Sequence, residues 1–121
     1  MFATTIRWDL PEETDWERLR AAAVRSAFEE FRWVPGLRAK AFVFSPERSE
    51  FGGNYVWETQ DDAEAFLRSE LWRATVSRLG EPWIERSEVC AYVEAGDLVF
   101  PPEYNVSAWT ARESSADASA P

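Results

Sequence analysis

The sequence predicts an α+β domain, two helices on one face of a four-stranded antiparallel sheet, in the order β-α-β-β-α-β. Three observations predict it. Four segments alternate with the two-residue period of a strand, two longer ones repeat at helical spacing, and Pro or Gly marks most junctions. The 121 residues fit one domain and bury enough surface to fold without disulfides.

In the first strand Phe2, Thr4, Ile6 and Trp8 alternate with Ala3, Thr5, Arg7 and Asp9, and Leu10-Pro11 ends it. Thr14 and Glu17 form a capping-box pair, after which Trp16, Leu19, Ala23, Ala27 and Phe31 recur at helical spacing. The helix stops near Val34, because Pro35 lacks a donor and Gly36 permits a turn. The second strand, from Leu37 to Phe44, alternates Leu37, Ala39, Ala41 and Val43 with Arg38, Lys40, Phe42 and Phe44. A polar loop with Pro46 and the pair Gly52-Gly53 lead into a third strand, residues 54–59, rich in β-formers. Asp61 and Glu64 mark the second helix, with a break in register at Ser69-Glu70 and an end at Gly80 before Pro82. Alternation from 83 to 93 gives the last strand. The expected organisation is a ferredoxin-like domain over residues 1–96 and a C-terminal extension over 97–121, irregular or disordered from about 111.

Two helices shield one side of such a sheet. The small residues Leu37, Ala39, Ala41 and Val43 suit the covered side, which leaves Phe42 and Phe44, with Arg38 and Lys40, on the other. Trp8, Trp57 and Tyr92 add rings whose face depends on strand register. Rings turned to water would form an apolar patch that another subunit or a bound molecule must cover, and a homodimer packed sheet on sheet would do so.

The chain carries seven Trp, eight Phe, one Cys and no His. Without histidine the commonest general base, the usual haem ligand and most zinc patterns are missing, so no metal site is expected. Cys90 has no disulfide partner within the chain and suits a small buried position. A formal net charge of −9 repels phosphate, which argues against nucleic acid and anionic membranes as partners. Arg7, Asp9, Glu12 and Glu13 interrupt any signal-like apolar run, so the expected location is the cytoplasm.

Pro35-Gly36-Leu37 followed by Lys40, then Gly52-Gly53-Asn54-Tyr55-Val56-Trp57-Glu58, then Asp62-Ala63 and Phe66-Leu67, resembles the YdhR-type monooxygenase family. More distantly the chain is similar to the antibiotic-biosynthesis-type monooxygenases, over roughly residues 3–94. The resemblance implies a dimeric α/β barrel with one pocket per subunit. It further implies oxidation of a small aromatic or quinol-like substrate with no cofactor, the substrate anion itself donating electrons to oxygen. Within that chemistry Asn54, Trp57 and Lys40 are the candidate catalytic residues. Trp8, Arg38, Phe42, Phe44, Tyr55 and Tyr92 are the candidate substrate contacts. Two other functions fit the same residues: an isomerase or cyclase using proton transfer, and a non-catalytic binding or dimerisation domain.

Overall fold

Alternating residues Phe2–Asp9 form β1, a central strand, in the computed structural model, which describes residues 1–100. Its neighbours are β3 (Glu50–Trp57) and β4 (Trp83–Glu88), and β2 (Leu37–Ser45) lies outside β3. The order β2-β3-β1-β4 is antiparallel throughout, as expected from the sequence.

Helix α1 (Trp16–Glu29) begins one residue after the expected cap: Asp15, not Thr14, accepts from the Arg18 N–H at 3.1 Å. The Thr14 hydroxyl instead donates to the Pro11 carbonyl. A 3-10 turn, Phe31–Trp33, carries the chain to Gly36, whose φ of +77° any other residue adopts at a cost. A Cβ there would also overlap the Asp62 side chain. The second helical region divides at the expected place into α2 (Gln60–Phe66) and α3 (Glu70–Leu79), because the Ser69 hydroxyl caps the second piece through the Trp72 N–H. Thr59, rather than Asp61, caps α2.

The third strand runs over Glu50–Trp57 rather than 54–59, because Phe51, Gly52 and Gly53 already pair with Trp8, Arg7 and Ile6 of β1, and two further expectations for the strands are corrected. The last strand ends at Glu88, not at residue 93, because its partner β1 is exhausted: Phe2 faces Glu88, and the Val89 N–H takes the Met1 carbonyl. The chain contacts divide it into two units, Met1–Val89 and a second from Cys90. Within the second, β5 (Tyr92–Glu94) and β6 (Asp97–Val99) form a hairpin turned by Ala95 and Gly96, both at positive φ. Cys90 is exposed there rather than buried. The expected disorder beyond 111 lies outside the described residues.

The face of β2 is the second correction. Leu37 pairs with Trp57 and Ala39 with Val56, so Arg38 is the extra residue of a bulge that reverses the alternation. Lys40, Phe42 and Phe44 therefore turn toward the helices: Phe42 meets Phe31 edge-on at 5.3 Å and Phe44 stacks on Trp16 at 6.0 Å. Trp8, Tyr55 and Trp57 lie on this same side, in one core with Ile6, Phe31, Phe66 and Trp72. Across β2 and β3 the uncovered face carries small residues instead, Ala39, Ala41, Val43 and Val56 with Asn54 among them, while toward β4 Ala3 and Thr5 are joined by Arg7, Glu85 and the exposed Trp83 ring.

Candidate functional site

A cavity of about 40 Å³ lies between the helix-side face of the sheet and helices α1 and α3. That is space for roughly three water molecules. Trp8 and Tyr55 come from the sheet, Leu19 and Ala23 from α1, and Trp72 and Thr75 from α3. Trp8 is held by its indole N–H, which donates to the Gly80 carbonyl at 2.7 Å. Tyr55 is buttressed from behind by Trp57, stacked at 5.8 Å with planes 5° apart. Trp57 is itself fully buried and donates to the Thr4 hydroxyl at 3.0 Å.

Into this aromatic surround projects Lys40. Its Nζ lies 3.1 Å from the Phe31 ring centroid, 3.7 Å from Phe42 and 4.5 Å from Tyr55. It makes no hydrogen bond or salt bridge to any described residue. Burial pushes its pKa down to about 6, against a weaker upward pull from Glu30. The ring faces favour the ammonium and also oppose that shift. Near neutral pH the amine is thus largely uncharged, a base and a nucleophile. Burial raises the Tyr55 pKa, so its phenol keeps its proton and donates rather than accepts charge.

Gly53 makes the position possible. A Cβ on Gly53 would stand 3.0 Å from both Lys40 Cε and a Tyr55 ring carbon, so its absence lets the lysine stem cross the strand. A Cβ on Gly52 would overlap the Ile6 carbonyl oxygen, so that glycine serves strand packing. The double glycine has two separate reasons.

Lys40, Trp8, Phe42 and Tyr55 of the sequence candidates come together at the cavity wall. Trp57 supports it without lining it, and Phe44 lies apart against Trp16. Arg38 pairs with Glu58 at 2.9 Å and lines an outer groove of about 290 Å³, which Lys40, Phe31 and Phe42 also border. Asn54 is exposed on the opposite face, away from Lys40 and Trp57. Tyr92 belongs to the second unit. Sequence reasoning missed Phe31, Leu19, Trp72 and Arg78, because their convergence is tertiary. It also missed a signal in plain view: Lys40 is the only lysine among the chain's thirteen basic residues. Among the described residues, no three His, Cys, Asp or Glu side chains are grouped to hold a metal. No helix described is long and apolar enough to cross a membrane.

Solved structures share this architecture. A protein of unknown function from Nitrosomonas europaea matches with a TM-score of 0.59 and 21% identity, covering 79% of this chain and 95% of its own. A monooxygenase of Streptomyces coelicolor, solved in complex with the ligand nanaomycin D, matches with a TM-score of 0.59 at 19% identity, over 77% and 90%. An antibiotic biosynthesis monooxygenase gives 0.59 at 10% identity, over 74% and 98%. No protein-family model and no curated protein matches the chain. At these identities the likeness establishes a fold, the ferredoxin-like α+β fold of antibiotic biosynthesis monooxygenases.

Proposed function

We propose that this chain is a cofactor-independent monooxygenase of a small aromatic phenol or quinol, related to the YdhR-type branch of the fold. The single observation that carries the reading is the largely uncharged Lys40 amine set among ring faces at a cavity. The amine takes the substrate's acidic proton, and the resulting ammonium stays beside the anion it has created. The electron-rich anion reduces dioxygen. One oxygen atom enters the substrate and the other leaves as water: in an anthrone CH2 becomes C=O, and in a hydroquinone a ring C–H becomes C–OH as the ring is oxidised to the quinone. Trp8, Phe42 and Tyr55 hold the aromatic body and exclude solvent.

The cavity is smaller than such a substrate, so α1 must shift outward to admit it. That helix buries none of its residues fully, and Val24 and Phe28 on it are 60% and 69% exposed. Oxygen uptake with hydroquinones and anthrones in metal-free buffer tests the reading. Uptake above the protein-free control is expected, reduced by about a hundredfold or more in Lys40→Met. No uptake by the wild type across the panel rejects it. The small volume favours a second reading, a non-catalytic dimerisation domain, which predicts neither oxygen consumption nor thermal stabilisation by aromatic ligands.

We further propose a homodimer joined through the uncovered sheet face. Its small side chains on β2 and β3, beside the exposed Trp83 ring of β4, offer a surface on which a second sheet can seat. Ala41 is exposed on this face, midway along the edge strand β2, so Ala41→Arg is expected to convert a dimer to a monomer in sedimentation velocity. A wild type that sediments as a monomer at micromolar concentration overturns the arrangement.

A further inference from the structure

The chain has thirteen cationic side chains, of which twelve are arginines and one is lysine. Arginine stays protonated under all ordinary conditions, whereas lysine alone can present a neutral nitrogen. The sole lysine is the side chain buried against Phe31, Phe42 and Tyr55, with no carboxylate in salt-bridge range among the described residues. It borders two spaces at once, the inner cavity and the outer groove of about 290 Å³ lined by Ala27, Leu37 and Arg38. A small molecule in the groove can therefore lie against the Lys40 side chain without the helices unfolding.

We propose that Lys40 is a covalent site for small apolar aldehydes, which it captures reversibly as an imine. The Nζ lone pair attacks the carbonyl carbon, forming the C–N bond as the carbonyl π electrons move to oxygen. One amine proton passes to that oxygen, giving a carbinolamine. Loss of the hydroxyl with the second amine proton releases water and leaves the C=N bond. The step is neither an oxidation nor a reduction. The site meets its requirements: burial keeps the nitrogen unprotonated near neutrality, and the ring faces stabilise the iminium form of the product. Apolar walls slow the return of water. An inner cavity of about 40 Å³ limits the part of the aldehyde lodged there to a few carbons. The site needs neither dioxygen nor the oxygenase reading.

The test uses the full chain under nitrogen with propanal as probe and sodium cyanoborohydride to fix the imine as a secondary amine. The only other primary amine in the chain is the N-terminal α-amino group, which serves as an internal reference. Peptide mapping at about pH 7 is expected to place the propyl group predominantly on Lys40 rather than on that reference in the native protein. In urea the preference reverses, since an unfolded lysine is almost wholly protonated at this pH. Labelling of the N-terminus with Lys40 unmodified or slower in the native protein overturns the proposal. Because the reaction is run without oxygen, its outcome is independent of the oxygen-uptake result, and either can fail alone.

Discussion

Wild-type stability is expected to rise with pH by on the order of 1 kcal/mol per unit between about pH 6 and pH 10, and Lys40→Met to abolish that slope. The sign follows from proton counting. Between the folded pKa of about 6 and the ordinary lysine value of about 10, the unfolded chain holds a proton on Lys40 that the folded chain lacks. Lowering the pH through this window therefore favours unfolding, and below the folded value the effect levels off. Tyr55 acts at the other end: its raised pKa means that its contribution is present below about pH 10 and is lost above it. Urea unfolding of both proteins at about pH 6.5, 8 and 9.5, all within the window, reads the slope directly. Methionine keeps the length and apolar stem of the lysine, so the variant should be the more stable protein by a few kcal/mol at neutral pH. Parallel pH profiles for the two would show that the lysine is charged in the folded state, and with it would go the general-base role.

Trp57→Ala is expected to cost roughly 3–5 kcal/mol, close to the whole stability of a domain this size. Trp57 has no exposed surface, stacks on Tyr55 and lies 5.4 Å from the Phe66 ring. Its removal also leaves the Thr4 hydroxyl, buried in β1, without its donor. Trp57→Phe separates these contributions, restoring much of the packing but not the hydrogen bond. Its expected cost is roughly 1–3 kcal/mol. Chemical denaturation measures both, and a wild-type-like midpoint for the alanine variant would contradict the packing described here.

The element order was legible because the sequence punctuates it with local chemistry. Pro35-Gly36 ends the first helical region, and Ser69 caps α3 at the predicted break. Such signals act within a few residues and survive in any tertiary setting. What depends on a partner was less legible. The overrun of the last strand past Glu88 arose because alternation continues after its neighbour β1 has ended. Asn54 and Trp57 looked adjacent in a motif, yet three positions apart on a strand they occupy opposite faces. Lys40 was legible as a candidate from its place beside ring positions. Its chemistry was not, because desolvation comes from Phe31 and the helices, far from it in the alternating pattern.

The bulge at Arg38 has a consequence for how this chain tolerates change. Leu37 already faces Trp57 and Ala39 faces Val56, so without the supernumerary residue the two become consecutive rungs of an ordinary ladder. Lys40, Phe42 and Phe44 would keep their partners Tyr55, Gly53 and Phe51 and stay sheltered. A single-codon deletion at this spot therefore sacrifices the Arg38–Glu58 pair and spares the interior, whereas the same loss at Ala41 would turn Phe42 and Phe44 to water.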